Sequence, residues 1–165
     1  MDIEEIQETI ETIQRLDDRR REAFRREYRE SDDGRGPYPE TRELIGEQRE
    51  ALDRLDELLA TEREQLEELV DYTEFLTVDQ AVRHRDRAVS MLRERQEHLG
   101  AFHDAMTAAL DAIESNVDAL ETEGEDAVEA DPSPHLDDAQ EALEAHNEAV
   151  EDLQHSMEIL NAYLM

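Results

Sequence analysis

Two histidines, His103 and His146, interrupt heptad series of apolar residues. An imidazole held in a helical core can ligate a metal or move a proton. A bundle di-metal centre, however, takes a Glu-x-x-His step from each of two helices. Neither His103 nor His146 has Glu three positions before it, so both are expected as buried seam residues, with no metal and no cofactor. His84, His98, His135 and His155 fall off the seams and are expected in solvent. Carboxylate chemistry has its own candidates. Glu64-x-x-Glu67 and Glu68-x-x-Asp71 set acids one turn apart, a spacing that can hold Mg²⁺ by oxygen. Phosphodiester chemistry has a third candidate in Arg93 and His98, with His98 as acid–base group and Arg93 as phosphate binder. No P-loop, dinucleotide fingerprint or Ser/His/Asp constellation is present.

Gln48, Glu62 and Gln96 also occupy seam positions. A polar residue on a coiled-coil seam fixes register at some cost in stability. With His103 and His146 they form the expected set of buried polar seam residues; a polar ligand pocket is the other use of such a set.

Helices must position all of these groups. The 165 residues fit one domain. They are 38% hydrophobic and 4% aromatic, the composition of long helices burying narrow stripes. Apolar periodicity predicts helices over about 2–30, 41–74, 78–120 and 134–164. Ile3, Ile6, Ile10, Ile13 and Leu16 lead into Ala23, Phe24 and Tyr28 on the first. The second repeats Ile45, Leu52, Leu59 and Leu66; Thr77 to Gln80 reads as a capping box opening the third. On the third, Val82, Val89, Gln96, His103, Leu110 and Val117 alternate with Leu92, Leu99, Met106, Ile113 and Leu120, and Gly100 marks a bend or a close contact. The fourth stays apolar to Met165, an end expected to be docked. A Gly/Pro-rich loop at 31–39 and an acidic linker at 121–133 punctuate the pattern. The expected fold is all-α: an antiparallel up-down-up-down four-helix bundle with long coiled-coil-like helices.

The acidic steps at 64–71 are similar to those of all-α nucleotide pyrophosphohydrolases, and Arg93-x4-His98 resembles the minimal spacing of HEPN-type ribonucleases, which are also helical bundles. Those resemblances imply a carboxylate-metal hydrolase or a HEPN-like ribonuclease as the enzymatic alternatives. Among 47 acids and 17 arginines, solvated charged faces are the competing reading. The same charge balance, −30 with no lysine, resembles proteins of salt-in halophilic archaea, where molar salt screens self-repulsion. Cysteine is absent, the first residues are acidic where a secretory leader is basic, and no apolar run reaches membrane-spanning length; a cytoplasmic protein with no membrane association is expected.

One stretch departs from the acidic average. RLDDRRREAFRREYRE, at 15–30, holds seven arginines against five acids. On a helical wheel Arg15, Arg19, Arg21, Arg25, Arg26 and Arg29 share one outward arc, and Arg20 falls toward the apolar side. A net +2 is small for a nucleic-acid footprint, so nucleic acid is not the expected partner; a regulator touching nucleic acid through this helix stays as an alternative. From 121 to 165 there are fourteen acids and no arginine, which predicts that the linker or the last helix lies beside the Arg face, in one chain or in a dimer mate. The expected function is non-catalytic: a helical scaffold or adaptor that binds a protein partner or self-associates, possible homodimer included.

Overall fold

The computed structural model of the protein describes residues 2–164. Within them run α1 (Ile3–Glu30), α2 (Pro39–Tyr72), α3 (Asp79–Glu123) and α4 (Ser133–Leu164), with a short 3-10 turn at Glu125–Ala127. Among these residues there is no strand. The protein is an all-α helical bundle whose helix ends lie within three residues of the expected positions. Met165 lies outside the described residues; just before it, Leu160 is fully buried and Leu164 half-buried.

Paired side chains set the direction of each helix. Glu27 meets Thr41, Arg20 meets Gln48 and Glu5 meets Arg54, so α1 and α2 are antiparallel. Arg42 meets Glu121, Arg49 meets Asp111, Glu62 meets Arg95 and Glu67 meets Arg93, so α2 and α3 are as well. Ser156 reaches Met91 and Tyr163 stacks on His84, which runs α4 against α3. Ile6, Ile10, Ile13, Leu52, Leu55, Leu59, Leu99, Phe102, Leu110 and Leu143 form the main core. Each such side chain contributes about 1.5–3 kcal/mol on leaving water.

The helix α3 serves two neighbours, and its buried surface is correspondingly wide. Beyond the two expected seams, Ala81, Ala88, Arg95, Phe102 and Ala109 form a third buried heptad series. Phe102 takes the interior place expected for His103, which is half-buried instead, with Nδ1 3.1 Å from Asp104. Helix α3 runs unbroken through Gly100, where an added Cβ would meet only an Arg63 nitrogen at 3.7 Å. The capping box at Thr77–Gln80 does not form. The chain leaves α2 through turns closed by the Thr73 N–H on the Leu69 carbonyl and the Leu76 N–H on the Thr73 carbonyl, and an extended Val78 caps α3 without a side-chain bond.

Helix α2 begins with Pro39 in its first turn, and its free N–H groups find acceptors on other helices. Buried Glu27 of α1 accepts from the backbone N–H of Glu40 and Thr41 and from the Thr41 hydroxyl. Glu121 of α3 accepts from the N–H of Tyr38. Two carboxylates therefore face the positive end of the α2 dipole.

The acidic linker does not simply turn over. Gly124, at φ +90°, ends α3, its N–H donating to the Ala119 carbonyl. The chain then descends alongside α3 until Asn116 Nδ2 donates to the Ala130 carbonyl at 2.8 Å. This fold-back retraces about two to three turns, or roughly 10–15 Å of helix axis, before α4 starts. It shifts the α3–α4 register. His146 lies among Arg95 and His98, not near 108 as a turn centred on 127 would put it.

Helix α1 is short and covers only part of the others. Its Glu5 is level with Arg54. Toward 72–79, among the described residues, α2, α3 and α4 surround Leu66, Val89, Leu92 and Leu153. Among the described residues α1 and α4 make no close backbone approach. Between them lies a cleft along the bundle.

Candidate functional site

Both ends of the α1–α4 cleft carry charged groups where a bundle normally places apolar ones. In α1 the core positions continue past Leu16 as Asp17, Arg20, Ala23 and Glu27, all buried. Arg20 Nη1 donates to Gln48 Oε1 at 2.8 Å, and its Nη2 lies 2.8 Å from Asp17. Gln48 Nε2 in turn reaches the Ile13 carbonyl. Burial lowers the Arg20 pKa, with Asp17 opposing that effect. The guanidinium is held in the wall by a closed set of partners.

Above that layer opens a cavity of about 250 Å³. Phe24, Ile113, Pro132 and Leu136 give it an apolar floor, and Arg20, Arg21 and Arg25 stand around it. Arg21 is anchored to Asp17 at 2.9 Å. The combination suits a partner with an apolar side chain and flanking acids.

At the other end lies a second polar layer. Glu62 on α2 and Arg95 on α3 form an ion pair through Arg95 Nη1, and both side chains are 1% exposed. Arg95 Nε and Nη2, Glu62 Oε2 and His146 Nε2 have no hydrogen-bond partner among the described residues. The pKa of His146 is lowered, first by burial and then by the charges of Arg95 and His98, while Nδ1 bonds to Asn147. The ring is therefore neutral at pH 7, and with an amide oxygen on Nδ1 its Nε2 is the unprotonated nitrogen. Arg95 and His146, both buried, lie at the base of a cavity of about 600 Å³ whose other wall is the first three turns of α1, with Glu4, Glu8 and Glu11.

The expected site residues are distributed as follows. Gln48, Glu62, Gln96 and His146 are buried, and His103 is not. Arg15, Arg19, Arg21, Arg25, Arg26 and Arg29 are exposed, and Arg20 is buried. The linker's acidic start does not meet that exposed face. Arg42 of α2 takes Glu121 and Asp118, and Arg35 lies beside Gly124. Arg26 pairs with Glu40, and Arg29 bonds the Arg25 carbonyl. Arg42 is nearer because α2 packs directly on the C-terminal turns of α3. The Arg42 hydrogen bond holds Glu121 below the usual carboxylate pKa.

Arg93 and His98 do not converge. Five residues apart on one helix, they point about 140° away from each other. Arg93 lies 3.7 Å from Glu67 on α2, and His98 pairs with Glu94. Glu64, Glu67, Glu68 and Asp71 are all exposed, and no group of three or more His, Asp or Glu among the described residues is placed to hold a metal. Arg95 is the residue that sequence reasoning missed. The signal was its place seven residues before Phe102 and seven after Ala88, in a series too mixed to read as a seam.

Compared with protein-family models, curated proteins and solved structures, the chain finds no match.

Proposed function

We propose that the protein is a non-catalytic helical scaffold of a halophilic archaeal cytoplasm, and that it assembles by docking the α2–α3 tip of one copy into the Arg-rimmed cavity of a second. The tip carries the reading. Tyr72, Phe75 and Val78 are 65%, 62% and 62% exposed, and the two aromatic rings meet edge to face with centroids 5.9 Å apart. Exposed aromatics grouped in this way are a feature of interaction surfaces. Between Arg63 and Arg83 there are six acids and no base, with Asp71, Glu74 and Asp79 beside the rings. The cavity on the α1–α4 cleft has the complementary character: an apolar floor under Arg20, Arg21 and Arg25.

Spacing supports reciprocal docking. The tip and Ile113 are about 50 Å apart along α3 at 1.5 Å per residue. Two copies laid antiparallel, related by a two-fold axis near the middle of α3, would set each tip against the other's cavity. In molar salt the charge attraction is largely screened and apolar burial supplies the affinity, with charge setting the choice of partner.

Sedimentation at molar salt tests this. The parent protein should be a dimer. Tyr72→Ala/Phe75→Ala should be monomeric there, and Arg21→Glu/Arg25→Glu should weaken the dimer increasingly as the salt is lowered. Mixing Arg21→Glu/Arg25→Glu with Asp71→Arg/Glu74→Arg should restore a one-to-one pair through one repaired contact. A parent that stays monomeric at all concentrations, or a dimer indifferent to these changes, refutes the proposal.

A further inference from the structure

The Glu62–Arg95–His146 layer has more hydrogen-bonding capacity than the chain's own groups use. Arg95 spends Nη1 on Glu62. Its Nε and Nη2 have no partner and are sealed from solvent, so a ligand reaches that edge only by displacing the side chains that cover it. Those two nitrogens form the side-on edge of a guanidinium, the edge that takes a carboxylate with two parallel hydrogen bonds. An unpaired buried donor costs about 1–3 kcal/mol. His146 Nε2, also unpartnered, belongs to the same cavity wall.

Facing them across about 600 Å³ are Glu4, Glu8 and Glu11 on one side of α1, all exposed. A plain anion approaching Arg95 passes these carboxylates and is repelled. A plain cation is drawn to the rim and leaves the guanidinium edge unfilled. Only a molecule bearing both charges satisfies both walls. We propose that the cavity between the first turns of α1 and the middle of α4 binds a small zwitterion, with its carboxylate on the Arg95 Nε/Nη2 edge beside His146 and its cationic end among Glu4, Glu8 and Glu11.

Proton linkage follows from charge balance. Glu62 already neutralises Arg95, so an arriving carboxylate brings an uncompensated negative charge into a low-dielectric layer. The His146 Nε2 lone pair accepts a proton there and restores neutrality. Burial, Arg95 and His98 on α3 oppose that uptake in the free protein, and Asn147 on Nδ1 favours it; Glu4, Glu8 and Glu11 are the charged groups on the opposite wall. Binding therefore tightens as pH falls through the neutral range.

The test titrates ω-amino acids of increasing length, from glycine to aminohexanoate, onto the full chain at molar NaCl. Propionate and butylamine are the single-charge controls. The His146 ring signals are followed by proton–nitrogen NMR and assigned with His146→Asn. At least one amino acid should saturate, move the His146 signals toward imidazolium, and bind about tenfold or more tighter than either control, about 1.4 kcal/mol. Glu4→Gln/Glu8→Gln/Glu11→Gln, confined to the exposed rim, should reduce that affinity to the level of propionate. Propionate binding as tightly as the amino acids would overturn the zwitterion assignment. No response to any probe at tens of millimolar would mean that water completes the layer, and would overturn the site.

Discussion

Replacing Glu62 by Leu should be among the most damaging single changes in this protein. The substitution roughly preserves volume, but it leaves the Arg95 guanidinium charged with no counterion at 1% exposure. A guanidinium has no neutral form at working pH. Removing one partner of a buried pair costs about 3–5 kcal/mol. The stability of a whole domain is only about 5–15 kcal/mol. For a chain of this size each kcal/mol moves Tm by about 2–4 °C, which puts the loss at about 6–20 °C. Arg95→Met should cost less, because an isolated carboxyl can take up a proton where a guanidinium cannot lose one. The double variant Glu62→Leu/Arg95→Met should return to within about 1 kcal/mol of the parent or exceed it, since apolar replacements of buried pairs are neutral or stabilising. Urea and thermal unfolding at molar salt, followed by helical circular dichroism, supply the cycle. Salt should not rescue Glu62→Leu, because a buried charge is little screened. A Glu62→Leu loss below about 1 kcal/mol, or a double variant as damaged as the sum of the singles, would refute the picture of a dry, mutually dependent pair.

Three further outcomes follow. The folded-state pKa of His146 lies below its ordinary value of 6.5, so the unfolded chain binds a proton that the native state refuses. Stability relative to His146→Asn should therefore fall as pH drops below 6.5 and level off once the native ring also protonates, a difference read from unfolding curves at a series of pH values. Gly46 and Gly100 sit mid-helix with room for a methyl group, so Gly46→Ala and Gly100→Ala should each stabilise by about 1 kcal/mol, adding when combined, as read in urea. Glu27→Ala removes the acceptor for two N–H groups and a hydroxyl at the start of α2, and should cost about 1–3 kcal/mol, with amide exchange at Glu40 and Thr41 accelerating first.

The four helices were legible because their apolar steps recur at helical spacing and Gly and Pro cluster between them. The outward set of arginines was legible on the wheel for the same reason. What escaped were features set by which helices touch which. Periodicity shows a stripe, but it does not say that α3 needs a wider one because α2 and α4 both lean on it; hence Arg95 and Phe102 were passed over and His103 was placed too deep. The linker's fold-back rests on Asn116 meeting the Ala130 carbonyl, a contact with no local sequence signal. Thr77 and Gln80 had the letters of a capping box, but an extended Val78 ahead of the helix leaves the threonine outside the first turn. Glu27 looked like one more acid threaded among arginines, yet it caps a different helix.

The short reach of α1 gives the bundle a gradient of cohesion. Around Ile10, Leu55 and Leu99 helices close on the core from several sides; around Leu66, Val89 and Leu153, among the described residues, three remain. Local opening should follow that gradient, with amides near 66–92 exchanging by partial unfolding while those near 44–58 wait for the whole molecule to open. The aromatic tip thus rides on the yielding end, and the cavity proposed to receive it is built into the fixed end. A second copy docked there would clamp the part of the fold that moves most, so association and rigidity would rise together.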